Sequence, residues 1–401
     1  LGAEALAKAA GFTIVEMLIA TVVMMAVTGA VFQLMNPAQG TFQAQPEVSD
    51  LQQRMRVGTD MLSADLLMAG AGTYMGATPG ALLNFFAPIM PQRRGEVDPD
   101  DPDIFRDDAI SLVYIPPTPT QTTVNKAMGK GNSQELDVNA QRECGTNKHD
   151  SLCGFEEGMR VMIFDVDGSW DMVTITNVQD EALHLQHSGK LSGPYSSGQA
   201  VITQVATRTY YLKSDDDTQT YQLMQYDGYQ TDAPVVDNVV KLQFEYFGDP
   251  QPPRLLPNKP LADEVGPWTT YGPKPPALNF DLDGADEYLQ GENCTFSVVN
   301  GQHVPRMAVL ETGVQRVKLA ANQLTDGPWC PDGTSPNRFD ADLLRIRQVR
   351  VTLRVQAALA ALRGPAGVLF SKGGNSTSAQ RYIPDQEIRF DIAPRNMNVG
   401  R

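Results

Sequence analysis

Residues 12–35 read FTIVEMLIATVVMMAVTGAVFQLM and carry one charge, Glu16, five residues into an otherwise apolar run. As a helix this run is roughly 36 Å long, enough to cross a hydrocarbon core of about 30 Å with some tilt. Nothing else among the 401 residues is comparable. One crossing at the start and a polar remainder describe a single-pass, N-anchored protein. A cleaved secretory signal would have a shorter apolar core followed by small residues, and Pro37-Ala38-Gln39-Gly40 matches that poorly. A plain anchor fits the length better. It does not account for Glu16, because a carboxylate inside a membrane helix is costly unless it finds a partner.

Gly11-Phe12-Thr13-Ile14-Val15-Glu16, followed by Met17-Leu18-Ile19-Ala20, resembles the prepilin processing and methylation motif of type IV pilins and type II secretion pseudopilins. The resemblance implies cleavage by a prepilin peptidase after Gly11, so that residues 1–11 are a leader. It also implies N-methylation of Phe12 and an assembly role for Glu16. In such families the freed α-amine is cationic and the carboxylate anionic. Each is costly alone in a low dielectric, so each favours the other. The expectation is that Glu16 of an incoming subunit meets the amine of a neighbour. The leader departs from the family pattern: its one base, Lys8, is balanced by Glu4, and the chain does not begin with Met. We therefore expect further Lys or Arg upstream, as the positive-inside rule requires.

Beyond the anchor, Pro37 and Pro46 are expected to break or kink the helix. Val48, Leu51, Met55, Leu62, Leu66 and Ala69 then recur at helical spacing, an apolar stripe fit to pack on a globular head or on a partner helix. Ser49 or Asp50 is a candidate cap, and Gly70-Ala71-Gly72 a stop. This gives an assembly helix over 12–35, an amphipathic helix over 36–72 and a periplasmic head over 73–401.

The head reads as strands and loops. Strands are predicted at 109–115, 159–165, 170–177, 182–187, 199–211, 220–226, 239–247, 345–355 and 386–392. Asp167-Gly168-Ser169 is placed as a hairpin turn. In 239–247, Val240, Leu242, Phe244 and Tyr246 share a face, whereas Ile346 falls out of the alternation that runs from Val349 to Val355. Long loops are expected at 91–106, 116–150, 248–309 and 325–341, and a short helix at 357–363. The fold class is α+β: a long N-terminal helix packed on an antiparallel sheet head with loop insertions. The stretches VMIFDVDGSWDMVTITNV, VVDNVVKLQFEYFGD, RQVRVTLRV and RFDIAPRNMNVGR resemble PilW-type minor pilins. That resemblance implies pilus initiation or a place at the tip. It also implies partnership with other minor and major pilins and an inner-membrane assembly platform, whose ATP-driven motor is a separate protein.

The net charge of −15 argues against a nucleic-acid partner, which needs a basic face. Cys144, Cys153, Cys294 and Cys330 form two groups, read as two disulfides in an oxidising compartment. His149 lies between the first two, but the spacing fits no common zinc motif. His184 and His187, three apart on a strand, face opposite ways. Asp165-Val166-Asp167-Gly168 is read as a turn. Asp281, Asp283 and Asp286 form a candidate calcium site without the closing Glu of a full loop. No glycine-rich phosphate loop and no nucleophile near a histidine is evident, so no catalytic residue is named. A type II secretion pseudopilin is the near alternative. An anchored calcium-dependent adhesin or periplasmic enzyme is the distant one.

Overall fold

The computed structural model describes residues 12–72, 82–95, 98–117, 119–128, 135–141, 144, 150–164, 170–188, 191, 195–228, 231–256, 269–275, 288–289, 291–335, 338–376 and 382–398, except for the side chains of 34–43. The fold is α+β, with an N-terminal apolar helix and antiparallel sheets. The helix runs unbroken over Ile14–Met68, 55 residues. Pro37 and Pro46 therefore sit inside it, against expectation. Each removes only one N–H from the ladder, and the turns on either side hold the rod. Gly70, at φ 77°, ends it in the left-handed conformation that suits glycine.

Two compact units divide the chain: Leu1–Gln53 with Gln356–Asp385, and Arg54–Val355 with Gln386–Arg401. In the first, buried Glu47 accepts a hydrogen bond from the Ala358 N–H. The segment from Gln356 folds on itself through Ile383 N–H to Leu362 O (2.8 Å) and an edge-to-face pair, Phe370 and Tyr382. The short helix expected here is a single 3-10 turn, Ala360–Leu362. Arg363-Gly364-Pro365 stops anything longer.

In the second unit every strand pairing among the described residues is antiparallel. A five-stranded sheet has the order Ile89–Met90, Ala109–Tyr114, Ala206–Asp215, Thr220–Tyr226, Asp232–Asp237. A four-stranded sheet has the order Val317–Lys318, Val239–Gly248, Ile346–Val355, Gln386–Ile392. A six-stranded sheet, Gln121–Thr123, Val201–Gln204, Arg160–Phe164, Trp170–Gln179, His184–Ser188, Glu135–Asp137, encloses its own core around Val161, Ile163, Ile175 and Ile202.

The single strand expected over 199–211 is divided at Val205, and its halves join different sheets. Its alternation persists across the break, so periodicity alone does not reveal the change of partner. Arg160–Phe164 and Trp170–Gln179 pair in antiparallel register, while the expected turn at Asp167-Gly168-Ser169 lies outside the described residues. Strands also occur where loops were expected. Phe296–Val299 and Gln302–Pro305 form a hairpin through Asn300 and Gly301, both at positive φ. Asn-Gly is the dipeptide that such two-residue turns select.

Two bulges correct the reading of the central strands. One between Val239 and Lys241 turns Val240 off the buried face. The other lies between Phe247 and Gly248, which pair with Gln348 and Ile346 and leave Arg347 unmatched. That is why Ile346 falls out of alternation. The helix meets these sheets at Gly58, where an added Cβ would lie 2.9 Å from Leu353 Cδ2 and 3.4 Å from Val236 Cγ2.

Candidate functional site

Among the described residues the helix Ile14–Gln33 alone is long and apolar enough to cross a membrane, with mean hydropathy 2.2 and none of it buried. Its apolar side chains are exposed all round, from Ile14 through Phe32. A helix of this kind is consistent with a membrane anchor or a signal sequence.

The start of this helix is chemically specific. Thr13 precedes the first helical residue, and Glu16 is the third. The Glu16 carboxylate accepts hydrogen bonds from the Thr13 N–H (2.9 Å) and hydroxyl (3.0 Å), while the Glu16 N–H donates to Thr13 Oγ1 (3.2 Å). This reciprocal arrangement is a capping box, which satisfies two backbone donors that a helix start leaves free. The signal T-x-x-E is plain at residues 13–16, so Glu16 has an internal partner besides the external one expected of it. Phe12 is 85% exposed. Gly11 lies outside the described residues.

The cysteines join as Cys144–Cys153 and Cys294–Cys330, so the first pair does not serve as thiolate ligands. His149, Asp165, Asp167, Gly168 and the candidate calcium residues Asp281, Asp283 and Asp286 lie outside the described residues. His184 sits between Glu135 (3.1 Å) and Asp137 (3.2 Å), and His187 is buried on the other side of its strand. Among the described residues no cluster of three or more His, Cys, Asp or Glu could hold a metal ion.

Two polar networks have no local signal in the sequence. Asp65, on the helix, accepts hydrogen bonds from Tyr114 (2.9 Å) and Tyr210 (2.6 Å). Burial, then the nearby carboxylate, raises both phenols, Tyr114 to about 12, so they remain donors. The second network surrounds Arg345 and Arg347, both fully buried. Arg347 pairs with Asp249 at 2.8 Å and lies over the Tyr271 ring; Arg345 pairs with Asp342. Beside them Asp340 accepts from the N–H groups of Asp342 and Gly327, both at 2.7 Å. Burial nevertheless pushes its carboxyl up to about 7. Both networks hold elements together.

No family model and no curated protein matches this chain. Among solved structures, the Gp54 tailspike of Acinetobacter baumannii bacteriophage AP22, in complex with A. baumannii capsular saccharide, is similar at 19% identity over 22% of this chain, with a TM-score of 0.17. The chain spans 15% of that tailspike's length, a likeness too slight to bear on fold or function.

Proposed function

We propose that this chain is a PilW-like minor pilin, stored in a bacterial inner membrane with its head in the periplasm. It acts as an assembly protein rather than an enzyme. A prepilin peptidase removes residues 1–11, Phe12 is methylated, and the assembly platform moves the subunit into a type IV pilus with other minor and major pilins. Its place is at initiation or the tip. The carrying observation is a coincidence at one helix end: GFTIVE runs into the first turn of an apolar helix, Ile14–Gln33, none of which is buried.

The physics of this reading is a change of surroundings. The apolar helix leaves lipid for a fibre interior of similar polarity, so its transfer costs little. Glu16 then has two states. In the lone subunit Thr13 holds it; in the fibre it pairs with a neighbour's methylated amine, because a cation neutralises it better than a hydroxyl and an amide can. The two disulfides suit an oxidising periplasm, and the amphipathic part of the helix carries the head.

The test is co-expression with a prepilin peptidase, followed by intact-mass measurement of the membrane-purified chain. We expect loss of residues 1–11 and one methyl group on Phe12. Retention of the leader without methylation would overturn the proposal.

A further inference from the structure

A guanidinium drawn away from water needs a counter-charge. Arg345 and Arg347 have Asp342 and Asp249, and Arg306 has Glu292. Arg94 has no such partner. Its guanidinium reaches the Met90 sulfur at 3.0 Å, a weak acceptor, and forms no ion pair among the described residues. Yet protein crowds it. Burial, and then the nearby charge of Arg160, pushes the group down to about 10. Arg94 is nonetheless only half-buried, and with Arg93, Thr209, Tyr211, Tyr226 and Asp232 it lines a recess. That recess has room for about one water-sized group.

The walls are fixed in place. The Arg94 N–H donates to Ser111 Oγ (3.0 Å), and the Arg94 carbonyl accepts from the Thr209 hydroxyl (3.1 Å). Gly95 sits against Tyr226, where an added Cβ would fall 2.0 Å from the ring. Arg93 lies over the Tyr211 ring, 5.1 Å from its centre, and Asp100 answers its charge at 3.9 Å. The Tyr211 hydroxyl donates to Asp232 (2.6 Å). Of the two lining cations, Arg94 is thus the one whose charge the described residues leave unanswered.

We propose that this recess is a carboxylate-binding site, in which one oxygen of the ligand enters and accepts hydrogen bonds from the Arg94 guanidinium. The carboxylate belongs to a small free acid or to an acidic side chain of another protein. Its oxygen has about the girth of a water molecule, and its charge suits the planar donors of arginine. Chloride is broader. Phosphate and sulfate are bulkier and carry a second charge, which exposed Asp232 in the lining opposes.

The experiment uses the full chain in uncharged detergent micelles. Thermal unfolding is followed as sodium acetate replaces sodium chloride at constant ionic strength. The quantity read is the rise in melting temperature of wild type minus that of Arg94→Met, which removes general salt effects. This difference should grow and saturate with acetate and be absent with phosphate. Arg94→Lys, which keeps the charge but loses the fork, should weaken acetate roughly tenfold. In chloride alone Arg94→Met should melt no lower than wild type, because it removes a crowded cation without a counter-charge.

A glutamate capped at both ends separates the two sources. Binding of acetate alone assigns the site to small acids, and binding of both assigns it to acidic side chains. Three results would overturn the inference: no acetate-dependent difference between wild type and Arg94→Met, an equal difference with phosphate, or marked destabilisation by Arg94→Met in chloride, as a purely structural arginine would give. None of these readouts involves leader cleavage or pilus assembly, so failure here leaves the proposed function standing.

Discussion

Thr13 and Glu16 satisfy each other at the start of the apolar helix: the carboxylate accepts from the threonine N–H and hydroxyl, and the threonine hydroxyl accepts from the glutamate N–H. Substitution separates the capping role of this pair from an assembly role. Thr13→Ala removes the hydroxyl but leaves the charge, and it is expected to enter fibres nearly as well as wild type. Glu16→Ala is expected to be processed normally yet remain in the membrane. The fraction of each subunit in sheared fibres measures both. If the two variants fail equally, the internal cap is the essential contact and pairing with a neighbour's amine is not.

Asp65 fastens the helix to strands far away in sequence. Tyr210→Phe removes one donor to a charged acceptor and is expected to cost about 1.5–3 kcal/mol. Asp65→Ala should cost more, because it strands the phenols of both Tyr114 and Tyr210 and removes a longer contact from the Gln225 amide (3.4 Å). Denaturant unfolding of the full chain in micelles gives both values.

The two disulfides differ in the chain they close. Cys294–Cys330 spans a sequence separation of 36 and Cys144–Cys153 one of 9. Loop entropy then assigns about 4 kcal/mol to the first and about 3 kcal/mol to the second. Cys294→Ser with Cys330→Ser should therefore lower the melting temperature more than Cys144→Ser with Cys153→Ser.

Asp340 gives the head a pH dependence. Its folded carboxyl titrates near 7, raised from an ordinary value of 3.8 by burial, with Asp342 and Asp326 adding repulsion. The folded state therefore holds a proton that the unfolded chain releases. Stability from this group is fully present below about pH 4 and is lost as pH rises to about 7. The span corresponds to roughly 4 kcal/mol. In Asp340→Asn the melting temperature should vary less between pH 4 and 7 than in wild type. An unchanged profile would show that another group titrates in this window.

What the sequence disclosed followed physical range. The apolar helix was legible because twenty consecutive residues repeat one message, and Gln386–Ile392 because strict alternation has one structural reading. Both cysteine pairings were legible from their grouping. The Thr13 cap and the Asn300-Gly301 turn are written locally, as T-x-x-E and Asn-Gly. Other features were not written locally at all. Nothing near Val205 says that its flanking strands choose different sheets. Nothing near Arg347 says that an arginine in this strand is buried, because Asp249 arrives from about a hundred residues away. Proline reads as a break by its own chemistry, yet the helix passes through Pro37 and Pro46, whose cost its neighbours bear.

The bare apolar length of Ile14–Gln33 has a practical corollary. Away from detergent or lipid, such rods cluster side by side to hide their greasy faces from water. Preparations kept in micelles throughout should therefore stay dispersed, and those stripped of detergent should sediment as large particles.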